Sequence, residues 1–193
     1  MRQVKSSFGG AKRVAWLRGS ALLALCLLVP AAFGETEPAA SVPQPVAPGC
    51  PALAPEAVLA TLNAVRAMPR QCGPRAFAAA AALRWSAQLA ESAGRHVQQL
   101  AARNTLSHRG QQAESLRQRL RESGYRLRLG GENLAAGPAD ADEALAQWLL
   151  SPEHCANLMA PAYEEAALAC AANNGEYGRF WVLHLGAALP ALP

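Results

Sequence analysis

The chain has 193 residues, a length that suits one domain once any leader is removed. It carries 18 Lys+Arg against 14 Asp+Glu, but five of the basic residues and none of the acidic ones fall in the first 34 positions. The remainder holds 13 basic and 14 acidic residues, so the charge balance argues against a nucleic-acid-binding protein.

Residues 1–34 have the layout of a secretory signal peptide. Arg2, Lys5, Lys12, Arg13 and Arg18 open it, residues 21–29 are apolar, Pro30 ends the run, and Ala32 and Gly34 are small residues of the kind read at a cleavage site. Cleavage is expected after Gly34, giving a secreted or periplasmic protein without an integral membrane span. Cys26 follows Leu25 rather than a small residue, which argues against lipidation. Residues 35–54 are rich in Pro, Ala and Val without a period and read as a flexible tether.

Four cysteines remain after cleavage: Cys50, Cys72, Cys155 and Cys170. An even number in an exported chain implies disulfides. Three connectivities are open, and closeness in sequence favours Cys50–Cys72 with Cys155–Cys170. No Cys-x-x-Cys pair is present, which disfavours a zinc ribbon or a thioredoxin-type site.

The spacing predicts a first helix over residues 55–67, opened by Pro55, with Val58, Leu62 and Val65 on one face. Cys72-Gly73-Pro74 breaks the chain. A second helix over 86–103 places Leu89, Ala93, Val97 and Leu100 on a stripe, with His96 at its edge as a core or boundary histidine. A third helix is expected over 112–123, stopped by Gly124. Arg117, Arg119, Arg121, Arg126 and Arg128 read as a solvated basic face. Residues 125–129 alternate like a half-buried strand, and Gly130-Gly131 is expected to turn the chain.

Asp140 with Glu143 three residues on has the pattern of a capping box opening a helix with Ala141, Leu145 and Trp148 on one face. Ser151-Pro152 ends that helix and starts a short one carrying His154. Strands are expected over 166–171 and 179–185, joined by Asn173-Asn174-Gly175. Trp85 and Trp148 are both expected in the core. Helices first and a hairpin last favour an α+β fold over a doubly wound sheet.

Several short motifs occur in a particular order. They are Asn63-x-x-Arg66, Leu83-x-Trp85 with Leu89, Ser107-His108, Gly131-Glu132-Asn133-Leu134, Trp148-x-x-Ser151-Pro152-x-His154, Asn157-Leu158-Met159-x-Pro161, and Phe180-Trp181 with Gly186. Together, across about residues 55–189, they resemble the CAP (cysteine-rich secretory protein) superfamily in its bacterial secreted branch. The resemblance implies a three-layer α-β-α sandwich with a central antiparallel sheet. It also implies a cleft lined by His108, Glu132 and His154. Ser151 stands where animal and plant members carry a second glutamate. Val182-Leu183 replaces the usual Thr-Gln, with His184 following, and Ala167 stands where glycine is common.

Two imidazoles and a carboxylate are a zinc-type ligand set, so His108, Glu132 and His154 are also candidate metal ligands. No Gly-x-Ser-x-Gly elbow and no His-Glu-x-x-His pair occur. Two function classes follow. One is an extracellular binding module, expected to be monomeric, for a lipid, peptide or protein ligand and needing no cofactor. The other is a weak metal-assisted hydrolase using the same cleft.

Overall fold

The computed structural model describes residues 49–111 and 114–190. Residues 1–34, expected to be a signal peptide and containing Cys26, and residues 35–48 of the expected tether lie outside the described residues, as do positions 112–113, where the third helix was expected to begin. Among the described residues no helix is long and apolar enough to cross a membrane.

The elements in chain order are α1 (Pro55–Arg66), β1 (Arg70–Cys72), β2 (Arg75–Phe77), β3 (Arg84–Trp85), α2 (Ala87–Arg103), α3 (Leu116–Glu122), β4 (Leu127–Ala136), α4 (Ala141–Leu150), α5 (Pro152–Met159), β5 (Glu165–Ala172) and β6 (Arg179–Ala188). The main sheet has the order β3-β5-β6-β4. β6 pairs antiparallel with both β4 and β5, while the two-residue β3 adds a parallel edge beside β5. β1 and β2 form a separate antiparallel hairpin around Gly73 that the periodicity did not indicate.

Alternation along the strands divides the core between two layers of helices. Trp181, Leu183 and Leu185 on β6, with Ala166 and Leu168 on β5, face Val58 and Leu62 of α1, Leu145 and Trp148 of α4 and Leu158 of α5. Phe180 and Val182, with Leu134 and Ala171, face Ala93, Val97 and Leu100 of α2. This is the expected three-layer sandwich.

Local chemistry explains the helix starts. Ser86 accepts from Leu89 N, Ser115 from Gln118 N, and Asp140 Oδ1 from Glu143 N at 2.9 Å. Arg66 is fully buried and its guanidinium donates to the carbonyls of Ala81, Leu158, Ala160 and Tyr163. Asn63 exchanges two hydrogen bonds with the backbone of Leu83. The Asn63-x-x-Arg66 motif therefore fastens α1 to the entry of β3 and the exit of α5.

Gly130-Gly131 does not turn the chain: β4 runs through both. A Cβ at Gly131 would collide with the ring of Tyr163, and one at Gly130 would lie 2.8 Å from Leu120 Cδ1. These glycines admit close side chains rather than a bend. The solvated-face reading of the arginines holds for Arg117, Arg121, Arg126 and Arg128 but fails for Arg119, which is buried. Trp148 is buried, donating Nε1–H to Leu134 O at 2.9 Å, whereas Trp85 is only half-buried.

The disulfides join Cys50 to Cys170 and Cys72 to Cys155, with Cα separations of 5.9 and 5.4 Å. The pairing by sequence proximity is thus corrected. The 12-residue α1 separates Cys50 from Cys72 by about 18 Å of helix. Cys72 instead sits in the hairpin packed on α5, beside Cys155.

Trp148→Ala is expected to lower stability by about 3–5 kcal/mol. Trp85→Ala is expected to cost clearly less, because part of that ring already meets solvent. Urea unfolding of both variants checks the order, and equal losses would contradict it. Peptide mapping without reduction is expected to recover Cys50–Cys170 and Cys72–Cys155 and no other cross-link.

Candidate functional site

Register places the first residues of the site. Glu132 on β4 lies opposite His184 on β6, and both side chains point toward the α2 layer. α3 brings in Arg119 and α2 brings in His96. The loop after α2 brings His108 in from the solvent side.

The Glu132 carboxylate is almost wholly buried, and both of its oxygens are taken. Oε1 accepts from His108 Nδ1–H at 2.7 Å. Oε2 accepts from an Arg119 Nη at 2.6 Å and from His184 Nε2–H at 2.9 Å. His96 Nε2 lies 3.6 Å from Oε2 and donates to Ser107 O at 3.1 Å. Arg119 also donates to the carbonyls of His108 and Glu114, so one guanidinium fixes both the carboxylate and the His108 loop.

The electrostatics follow from this packing. Burial pushes the Glu132 carboxyl up, but hydrogen bonds from His108 and His184 and the charges of His184 and Arg119 outweigh it and hold it well below the usual carboxylate range. Burial lowers His184. It also lowers His96 to about 4, with Arg119 and His184 adding to the fall and Glu132 opposing it. The hydrogen bond to Glu132 raises His108, whose side chain is 63% exposed.

His154 approaches from the other side of the sheet. Its carbonyl accepts from Asn133 Nδ2, and Asn133 Oδ1 accepts from Asn157 Nδ2 at 2.9 Å. Asn133 alternates with Glu132 along β4, so α5 packs on the face opposite the carboxylate. Burial and then the charge of nearby His108 lower the His154 pKa. His108 bonds Glu132 directly, while the His154 side chain makes no hydrogen bond to the cluster and feels His108 only through its charge.

Zinc held by His108, Glu132 and His154 does not fit this arrangement. Both Glu132 oxygens are already engaged, one beside a guanidinium that repels a dication. Among the described residues no group of three or more His, Cys, Asp and Glu side chains is set to hold a metal ion. The serines beside the cleft serve turns: Ser107 Oγ accepts from Arg109 N at 3.0 Å.

The family model described as the cysteine-rich secretory protein family matches residues 59–185. The chain belongs to the CAP family. A solved extracellular protein with an SCP domain from Bacillus anthracis is 28% identical over 55% of this chain and 34% of its own, with a TM-score of 0.49. An outer surface protein of Borrelia burgdorferi is 19% identical over 57% of this chain and 80% of its own, with a TM-score of 0.52. A cysteine-rich secretory protein of Staphylococcus aureus is 15% identical over 71% of this chain and 40% of its own, with a TM-score of 0.46. This chain thus spans about a third of the Bacillus anthracis protein. No curated protein matches the sequence.

The opposite helical layer holds a second feature. A cavity of about 270 Å³ lies between α1 and α4, walled by Val58, Leu62, Leu145, Trp148 and Leu168, with Asp140 and Asp142 at its rim. It continues as a shallow groove past Ala60, Ala64, Ala146 and Leu149. From the sequence, Val58, Leu62, Leu145 and Trp148 read as core positions and Asp140 as a helix cap, not as a site. The signal was present as the small residues Ala57, Ala60 and Ala64, which share one face of α1 at helical spacing.

Stability is expected to fall as pH drops from about 6.5 toward 4. His96 takes up a proton below about 6.5 in the unfolded chain, but only near 4 in the folded protein. The unfolded state therefore binds more protons across that window. His184 acts in the same direction. His108 acts in the opposite one, since its raised pKa gives stability that is present below about 6.5 and lost as pH rises. His96→Gln is expected to reduce the stability lost between about pH 6.5 and 4 by on the order of 3 kcal/mol. Urea midpoints at several pH values measure it, and an unchanged slope would contradict the assignment.

Proposed function

We propose that this CAP domain is an exported binding module without catalytic chemistry, and that its ligand is an apolar chain lying in the α1/α4 groove. The observation that carries this reading is the cavity itself: a space with mostly apolar walls and a few polar groups in its lining, as small-molecule sites generally have. Export is supported by the leader pattern of residues 1–34, by two disulfides and by the extracellular or surface origin of similar structures.

The chemistry of the walls selects among ligands. Helices satisfy their own backbone, and Thr61 Oγ1 already donates to Ala57 O. A peptide laid in the groove would bury its own N–H and C=O groups without partners, which costs several kcal/mol per group at the upper end. An alkyl chain has no such groups. Asp140 and Asp142 at the rim favour a neutral or cationic head group over a carboxylate.

The Glu132 cluster supports a scaffold role in this reading. A metal-assisted hydrolase that used Glu132 as a ligand would have to displace a donor that already holds one of its two oxygens. The four cysteines of the described residues are paired in disulfides and offer no thiolate nucleophile there.

A fluorescent long-chain alkylamine is the probe. Ala57→Phe places a ring in the cavity mouth at an exposed position, and is expected to weaken probe binding at least tenfold with an unchanged unfolding midpoint. His108→Ala is expected to leave probe binding intact. The reverse pattern would move the ligand site to the histidine cleft and refute the groove.

A further inference from the structure

The two disulfides differ in surroundings. Cys72 and Cys155 are buried to 1% and 0% exposure, beneath Met159 and between the β1–β2 hairpin and α5. Cys50 and Cys170 are both half-buried. Cys50 begins a stretch without regular structure, residues 50–54, that leads into α1. We infer that Cys50–Cys170 is a redox-reactive site, a clasp that an external dithiol opens to free this strap from the groove.

The strap forms one wall of the cavity, with Pro51, Ala52, Leu53 and Ala54 all lining it. Cys170 lies two residues beyond Leu168, the cavity floor, so the bond ties the wall to the floor. Among the described residues the strap has few other ties. Arg179 Nε donates to Gly49 O at 3.4 Å, at the surface. Leu53 packs against the core, and Ala54 O accepts the first bond of α1. Opening the clasp removes the one covalent tie of the strap. It leaves the β5–β6 ladder intact, because Cys170 pairs with Trp181 through its backbone.

The chemistry is thiol–disulfide exchange. A thiolate of the external dithiol attacks one sulfur of Cys50–Cys170, forming a mixed disulfide and expelling the other cysteine as a thiolate, which takes up a proton. The second thiol of the reagent then attacks its own half of the mixed disulfide and releases the remaining cysteine. The reagent ends as a disulfide, and both cysteines end as thiols. Access sets the order: the half-buried bond reacts, while the buried one is shielded from the attacking thiolate.

The consequence for the ligand rests on the groove reading above. With the clasp closed, Leu53 and its neighbours complete the cavity wall; with it open, that wall is lost and a bound chain is released.

The test uses the exported protein, folded and oxidised, treated with graded dithiothreitol, trapped with iodoacetamide and mapped by mass spectrometry. Cys50 and Cys170 are expected to be alkylated at least tenfold faster than Cys72 and Cys155. Amide exchange over residues 50–54 is expected to rise while β5 and β6 keep their protection. Simultaneous reduction, prior reduction of Cys72–Cys155, or an unchanged strap would overturn the clasp. In a second arm, reduction is expected to speed release of the fluorescent alkylamine at least tenfold. The double variant Cys50→Ser with Cys170→Ser should match the reduced protein and no longer respond to dithiothreitol. Unchanged release from a bound probe would overturn the link between clasp and groove. If the oxidised protein takes up no probe, the groove reading fails, and the alkylation order and strap exchange still decide the clasp.

Discussion

A carboxylate taken out of water needs compensating charge and hydrogen bonds on every side, and Glu132 imposes that requirement on half of this molecule. Arg119 from α3, His184 from β6, His96 from α2 and His108 from the loop beyond α2 all converge on two oxygen atoms. Replacing any one of them leaves the others around a charge they no longer balance, and breaking such a pair is far more costly than the net gain from making it. The cluster therefore specifies where α2, α3 and the His108 loop lie on the sheet. The same saturation explains its reluctance as a metal site: what holds the carboxylate in place also occupies it.

The other helical layer is organised by different means. Arg66 gathers carbonyls from three places in the chain, and Asn63 fastens the backbone at Leu83. Around them the contacts are apolar, and small residues such as Ala57, Ala60, Ala64 and Ala146 leave space between α1 and α4. One side of the sheet thus carries a buried ionic cluster, while the other is apolar and holds the cavity. The described cavity lies on the second side, where apolar walls leave space beside Trp148 and Leu168.

Much of the fold was legible because local rules carried it. The Asp140 cap, the Leu89-to-Leu100 stripe, the Pro152 start and the alternation in the last two strands each follow from spacing within a few residues. What could not be read depends on distance in space. The disulfides join residues 120 and 83 positions apart, so closeness in sequence was the wrong guide. Arg119 looks like one of five surface arginines until β4 places Glu132 beside it. Gly130-Gly131 looks like a turn until Tyr163 and Leu120 pack over it. Of the candidate site, His108 and Glu132 proved to be bonded, and His154 approaches from the opposite face. His96 and His184 joined them only through register and helix packing.

The strand order leaves β4 at the margin of the sheet, with its outer carbonyls facing away from β6. Trp148 Nε1–H meets Leu134 O, and Asn157 Nδ2–H meets Glu132 O at 3.4 Å. Two side chains from α4 and α5 thus occupy acceptors that another molecule's strand would otherwise use. An open sheet margin is a template for intermolecular pairing, and proteins that travel unfolded through a membrane meet that hazard on every refolding. The tryptophan and the asparagine seal the margin as soon as their helices dock, so protection against self-assembly comes from the same contacts that complete the core.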